Sequence, residues 1–491
     1  MKANDQAYVT PQFRVLSDGQ IEEIVSAALD VLERVGTRAY GDETLERLRG
    51  AGCLLGEARQ GEARVRIPAW VAENALRTAA SRIVVAGRDR TRRIVLEKNR
   101  FYFGTGSDCP SLVDPHSGQV RKYTFDDVVD AARIADALPN IDFHMSLGLT
   151  SGVLARTYDR PQFLAMVKGT AKPLVVTAVD QEGLADQYRM ACEVVGGADE
   201  FARAPLFVVY IEPSSPLSHS VEATSKVLYA AANGIPAIYT PCIMAGGTGP
   251  ATLAGTMVQA LAEYLVGLVL AQCTRPGAGV IMGGVNSIMD MATTILSYGA
   301  PELALISAAM TDVAKWLGVP MFSTAGCSDA KVLDQQAAIE ATMSIVVAAL
   351  SGANLIHDVG YLESGLLGSF DMLVMSDEVI GMARRILSGV SVTPETLAVE
   401  VIEGVGPGGH YMAQPHTRRH FRAEAWFPKL IDRQMRGAWQ AAGSRTLGDR
   451  VRARVLDILE HHQPPPLPGD VEESLRAIVA AAEARHAEAG R

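Results

Sequence analysis

IPAIYTPCIMAGGTGPATLAGTMVQALAEYLVGLVLAQCTRPGAGVIMGGVNS, residues 235–287, is one repeat of the pattern that decides the fold. A short apolar run, IPAIY, ends in a loop of glycines and polar residues. An apolar helix follows from about Leu253, and a second apolar run, GVIMGG, closes the unit. These runs are continuous rather than alternating, which is how strands covered on both faces read, so a parallel sheet is implied.

The same rhythm continues on both sides. IDFHMSLG at 141, KPLVVTAVD at 172, PLFVVYIEPSSPL at 205, VPMFSTAGCSDA at 319 and ANLIHDVGYLESG at 353 bring the count to seven strand-then-helix units. GVSV at 389–392 is the candidate for an eighth strand. FGTG at 103 and GVGPGG at 404 lack the glycine spacing of a dinucleotide fingerprint set between a strand and a helix. Seven or eight such units without that fingerprint favour a TIM (β/α)8 barrel over a doubly wound sheet.

Around the barrel, expected at 123–400, two flanking regions are read. Residues 1–122 form an N-terminal cap: helices over 18–50, then β-rich runs, RIVVAG, RRIVLEK and RFYFGTG, broken by charged turns. TFDDVVDAARIADAL then opens an amphipathic helix with Thr124 as N-cap. Residues 401–491 form a C-terminal loop and helices that complete or cover the barrel, ending in a charged, Ala-rich tail after HHQPPPLPGD.

Composition narrows the function. A net charge of -10 argues against a nucleic-acid partner, which needs clustered Lys and Arg. The six cysteines, at 53, 109, 192, 242, 273 and 327, are dispersed and make no CxxC, so a reducing cytoplasm is expected and neither a zinc knuckle nor a disulfide framework is suggested. MKANDQAYVTPQF lacks the apolar core of a secretory signal. Leu253 to Leu270 is apolar enough to suggest a membrane span, but Gln259, Glu263 and Tyr264 favour a buried helix, so no membrane is expected. Homo-oligomerisation is the expectation for a barrel with large apolar helices.

Barrel active sites form at the C-terminal ends of the strands. That rule selects Glu212 with Ser214 and Ser215, Thr248, Asn286, Asp290, Ser328, Asp329, Lys331, His357, Asp358, Tyr361 and Glu363, with Tyr102 reaching in from the cap. Each has a structural alternative. Asp329, Asp334 and Glu340 can cap and charge a helix start. Lys331 falls in a first turn, where a cation is mildly unfavourable, which hints at another duty. His357 at the rim is either a substrate contact or a core histidine bonded to a carbonyl. As neighbours on a strand, His357 and Asp358 would point apart and make a poor dyad.

Three histidines, His410, His416 and His420, crowd GPGGHYMAQPHTRRHF at 406–421. The four-residue spacing of His416 and His420 puts two imidazoles on one helical face, and His410 would complete a zinc site. Against this, no zincin glutamate or cysteine is near, and Arg418 and Arg419 would repel a dication. The other reading is a glycine-rich loop leading into a helix over the barrel mouth.

That stretch, as GPGGHYMAQPHTRRHFRAEAWFPKLIDRQ, resembles the C-terminal signature of the trimethylamine methyltransferase family. The likeness spans nearly the whole chain, through FYFGTGSDCPSLVDPHSGQVRKYTFDDV, IEPSSPLSHS, AGGTGPATLAGTMVQALAEYLVGLVLAQ, GCSDAKVLDQQAAIEATMS and GANLIHDVGYLESGLLGSFDMLVMSDEVI. The resemblance implies a TIM barrel and transfer of a methyl group from nitrogen to the cobalt(I) of cobalamin carried by a separate corrinoid protein. Trimethylamine-specific members use pyrrolysine, and no such letter stands here; Lys331 is the position at which a counterpart is sought. Its absence points to a quaternary, betaine-type substrate. For such a head group Tyr102, Tyr361 and Phe370 are the candidate rings, His357 the donor to a carboxylate tail, and Glu212 and Asp329 the long-range attraction for the cation. His410 and His416 would border the mouth as a lid or docking edge. The alternatives are a zinc-dependent barrel enzyme built on His410, His416 and His420, or a non-catalytic barrel that binds a betaine or a corrinoid.

Overall fold

A computed structural model describes residues 12–489. Seven parallel strands run in one sheet: β1 Tyr102–Thr105, β3 Leu174–Val176, β4 Phe207–Ile211, β5 Ala237–Tyr239, β6 Val280–Gly283, β7 Met321–Thr324 and β8 Leu355–Val359. The eighth, β2, is short, at residues 143–144: Phe143 bridges Gly104 of β1 and His144 bridges Leu174 of β3, both parallel, so the sheet closes on itself. The expected TIM barrel is the architecture found.

β2 lies in the run read at 141, but the remaining strand that closes the barrel is not the one the sequence suggested. β1 comes from the β-rich run placed in the cap, so the boundary expected at residue 122 falls after the first barrel strand. Residues 389–392, the expected eighth strand, have no strand structure, and Val390 and Val392 are exposed. YFGT reads poorly as a barrel strand because it carries a glycine; Gly104 is needed there, since a Cβ would stand 2.3 Å from the Phe143 ring.

One helix follows each strand: α1 Phe125–Ala137, α2 Asp159–Gly169, α3 Gln181–Val195, α4 Val221–Asn233, α5 Leu253–Thr274, α6 Pro301–Leu317, α7 Gln335–Ser351 and α8 Phe370–Leu387. Thr124 caps α1 in a reciprocal capping box with Asp127, as its sequence predicted. α5 is buried nearly all round, packed against α4, β5 and the N-terminal helix Asp18–Asp30, which is the place of an all-apolar helix in a large core.

The floor of the barrel is plugged. Ile83, Val85, Ile94 and Leu96, from the hairpin 83–86 and 93–96, meet the innermost layer, Phe143, Val175, Val208, Ile238, Ile281, Phe322 and Leu355. Lys172 locks this end: its buried ammonium donates to the carbonyls of Ala135, Leu138 and Ile141 at 2.5, 2.7 and 2.5 Å. The helices Leu447–His461 and Gly469–Ala489 pack outside, on α8 and α1 and on α2 and α3.

Candidate active site

Strained backbone gathers at the C-terminal ends of the strands. Of the twelve non-glycine residues with positive φ among those described, seven lie there: Asp108, Leu147, Leu217, Thr294, Asp358, Glu363 and Ser364. Such conformations cost free energy and persist where surrounding structure imposes them, commonly at active sites.

Alternation along the strands decides what faces inward. Two residues beyond the innermost apolar layer come Thr177, Tyr210, Thr240, Thr324 and His357. Ring contacts agree: the Phe322 ring lies 4.1 Å from His357 and 5.6 Å from Tyr210. Above them the cleft is acidic. The Tyr210 hydroxyl donates to Glu212 Oε1 at 2.5 Å. Water reaches Glu212 although protein surrounds it on most sides, because it projects into a deep, open cleft. Burial raises its carboxyl above the usual range, and it does the same to Asp108 and Asp358. Glu212 is close enough to add to the shift of each of the other two, or to receive it.

Asp358 corrects an expectation. At φ 73° it leaves the regular strand path, in a stretch where the pairing of β8 with β1 slips between Ile356 and Val359. The bulge swings its carboxylate toward its neighbour, so His357 Nε2 lies 3.3 Å from Asp358 Oδ2. The two therefore meet, which regular alternation forbids. His357 Nδ1 sits 2.9 Å from Ser323 O, so both ring nitrogens have partners and burial lowers its pKa to about 4. A neutral ring with both nitrogens engaged is a poor donor for a substrate carboxylate.

Tyr361 is brought in as expected. Its hydroxyl donates to Ser107 O at 2.6 Å, and its ring packs on Gly106, where an added Cβ would stand 2.3 Å from Cε2 and 2.4 Å from Asp358 Oδ1. Tyr298, in the loop after β6, lies within the field of Asp358 and Glu212. The cleft thiols are poor nucleophiles: burial pushes Cys242 up to about 12, and Cys327 is raised too.

Several other candidates lie elsewhere or serve the scaffold. Tyr102 stands on the barrel floor, its hydroxyl accepting from Val95 N at 3.1 Å, because its strand starts rather than ends there. Phe370 opens α8 and is buried in the outer core. Asp329 ties loops together, accepting from Ser297 Oγ, from Tyr298 N at 2.8 Å and from Ser364 Oγ at 2.7 Å. Asp334 is the residue that caps α7, and Glu340 holds Ser328 Oγ and the Asp329 amide. Lys331 is exposed and donates to Asp329 O. Ser215 and Gln259 brace Glu263 under the β4 loop. Thr248 and Asp290 hold their own loops through backbone bonds, and Asn286 Oδ1 accepts from Ile243 N, tying the loop after β6 to the loop after β5.

The histidine loop lies at the wrong end for a lid. A helix after a strand runs back toward the floor, and Arg384 near the end of α8 bonds Asp142 at the foot of β2. Beyond that end, His416 Nε2 contacts Glu395 O at 3.3 Å and His420 Nε2 contacts Glu395 Oε1 at 3.2 Å. His416 and His420 do share a face, with rings 4.3 Å apart. Among the described residues no three His, Cys, Asp or Glu side chains are grouped to hold a metal ion, so His410 does not complete a site.

Sequence reasoning missed Asp108, Tyr210, Lys226 and Tyr298. A strand assignment at FYFGT would have placed Asp108 at the mouth, and Tyr210 is the polar break in FVVYI. Lys226 lies mid-helix on α4 and carries no local signal.

The trimethylamine methyltransferase (MTTB) family matches residues 3–488. The trimethylamine methyltransferase MttB of Desulfitobacterium hafniense is 33% identical over 463 residues, 94% of this chain and 92% of that protein. A glycine betaine methyltransferase from Desulfitobacterium hafniense strain Y51 is 30% identical over 478 residues, 96% and 97% of the two chains. Among solved structures, the monomethylamine methyltransferase of Methanosarcina barkeri superposes with a TM-score of 0.53 at 12% identity, over 92% of this chain and 88% of that one, which is a likeness of fold.

Proposed function

From its place in the trimethylamine methyltransferase family, to which this chain belongs, we propose that this methyltransferase moves a methyl group from a quaternary, betaine-type amine to cob(I)alamin on a separate corrinoid protein. The observation that carries the amine is the cleft itself: Asp108, Glu212 and Asp358 converge there with the rings of Tyr210, Tyr298 and Tyr361. A trimethylammonium group offers no hydrogen-bond donor and is held by aromatic faces and diffuse negative charge, each ring contributing ~0.5–2 kcal/mol.

The cleft suits a substrate that needs no proton. A quaternary nitrogen leaves as a neutral tertiary amine, keeping the electron pair of the broken C–N bond. Burial pushes His357 down to about 4 and Cys242 up to about 12, so this imidazole is a weak base and this thiol a poor nucleophile. Positioning and desolvation are then the main tasks of the protein.

The rim fits a docked corrin carrier. Leu154, Met291, Ile295, Val332 and Leu366, from loops after β2, β6, β7 and β8, are all exposed, Met291 by 78%. An apolar ring around a charged well suits the broad face of a corrin and excludes water once covered. Reduced cobalt, supplied by the carrier, is the methyl acceptor in this reading. A zinc enzyme on His410, His416 and His420 lacks a grouped ligand set. A non-catalytic sensor is distinguished by the same experiment: the protein is mixed with cob(I)alamin or a reduced corrinoid protein and a panel of betaines. Appearance of the methylcobalamin spectrum is expected; binding without it favours a sensor, and silence across the panel overturns the reading.

Self-association and a cytoplasmic location belong to the same proposal. Four short helices over 394–441 bury none of their residues, and Val399 and Phe421 on them and Met412 and Phe427 in the loops between are exposed. Helices this short do not stand alone in water. A second copy is the fitting cover, since the acidic helix Val399–Val405 and the basic helix Pro415–Glu424 are complementary across a two-fold axis. The corrinoid carrier, which must leave each turnover, would not cover the arm permanently. All six cysteines are free, as a reducing compartment requires.

A further inference from the structure

One cation shares the acidic cleft without being neutralised. Lys226 projects from α4; the charges that act on it are those of Asp159 and Asp180 first, then Glu212 and Glu222, and it acts in turn on Asp108, yet among the described residues it forms no ion pair. Its ammonium donates to Ala178 O, in the loop after β3, at 2.7 Å, leaving two of its three N–H groups without a protein acceptor. Glu212 spends one oxygen on Tyr210, and Asp108 accepts from Gln162 Nε2 at 2.9 Å. Opposite charges in one half-buried cleft ordinarily collapse into contact, because attraction grows as water is excluded. Here the bond to Ala178 O fixes the amine on the β3 loop, out of hydrogen-bond contact with Asp159, Asp180 and Glu212.

We propose that Lys226 is the anchor for an anionic tail, so that the cleft selects a zwitterion with an ammonium head and a carboxylate a few bonds away. The inference rests on the quaternary-amine reading above and adds what sets its specificity. The head occupies the acidic, ring-lined side toward Asp358 and Tyr361, and the tail takes the open N–H groups of Lys226. His357, expected from sequence for this duty, is already engaged on both nitrogens. Head and tail together bridge the gap that keeps Lys226 from Glu212. An uncharged tail leaves the amine unmatched, and an ammonium without a tail meets a like charge.

Calorimetric binding of three probes to the full-length protein tests this: glycine betaine, choline and tetramethylammonium, which share the head and carry a carboxylate, a hydroxyl and no tail. Wild type is expected to bind glycine betaine at least ~10-fold more tightly than the other two. Lys226→Met should weaken glycine betaine by about 10- to 100-fold, the range of a hydrogen bond to a charged group. The same variant should leave tetramethylammonium within about 3-fold or strengthen it. Lys226→Arg should keep part of the preference, which separates tail recognition from support of the fold. Equal weakening of all three probes, or unchanged glycine betaine, overturns the role of Lys226. If wild type binds all three alike, the tail inference falls and the amine reading stands. If it binds none, the amine reading falls with it.

Discussion

Replacing Gly106 by alanine tests whether the cleft depends on the packing just above β1. A Cβ there would stand 2.3 Å from Tyr361 Cε2, 2.5 Å from Cζ and 2.4 Å from Asp358 Oδ1. An ordinary carbon contact is ~3.5 Å, so the ring must retreat by roughly 1.2 Å. It cannot do so freely, since its hydroxyl is bonded to Ser107 O at 2.6 Å, one residue from the substitution. Overpacking of this kind costs ~1–3 kcal/mol, and loss of the hydroxyl bond adds ~0.5–1.5 kcal/mol. A displacement near 1 Å in a positioning group lowers transfer about 100-fold. The assays are urea denaturation, tetramethylammonium binding by calorimetry and methyl transfer to cob(I)alamin. Gly19→Ala is the control: it lies in the first turn of the helix Asp18–Asp30 with nothing within 4 Å, and alanine is the better helix former there. Wild-type stability and wild-type binding in Gly106→Ala would refute the packing argument.

Tetramethylammonium binding should tighten as pH rises, because burial raises the carboxyls of Asp108, Glu212 and Asp358 and deprotonation creates the attracting charge. Calorimetry in buffers of different ionisation heat should register proton release on binding, flattened by Glu212→Gln with Asp358→Asn; proton uptake contradicts this. Arg160 is wholly buried against Asp159 and Asp186 at 2.8 and 3.1 Å, so Arg160→Met strands buried carboxylates and should cost ~3–5 kcal/mol by denaturation; a loss below ~1 kcal/mol argues against it. Leu154→Glu with Leu366→Glu should raise the KM for a corrinoid protein while leaving tetramethylammonium binding intact, and an unchanged KM removes the rim from docking. Met412→Glu with Phe427→Ser should lower the molar mass measured by light scattering if the arm joins two copies, whereas an unchanged mass places the subunit contact elsewhere.

Much of the barrel was legible in the letters because burial on both faces leaves largely apolar runs, and seven of the eight strands announce themselves so, in IDFHM, LVV, FVVYI, AIY, VIMG, MFST and LIHDV. β1 did not, since YFGT carries a glycine that lets Phe143 approach and reads with the β-rich runs of the cap. The strand-end rule also brought Glu212, His357, Asp358 and Tyr361 onto the page, because chain direction alone puts them at the mouth.

What direction along the chain could not convey was where side chains finish. The bulge at Asp358 turns two neighbours that should diverge into a pair, and the same rule failed for Tyr102 because its strand begins at the floor. Lys226 sits mid-helix, and only the fold of α4 onto the β3 loop carries its amine into the cleft. Periodicity records which residues leave water, a property each residue contributes locally. The meeting of charges from distant strands is set by barrel closure, which no stretch of sequence encodes by itself.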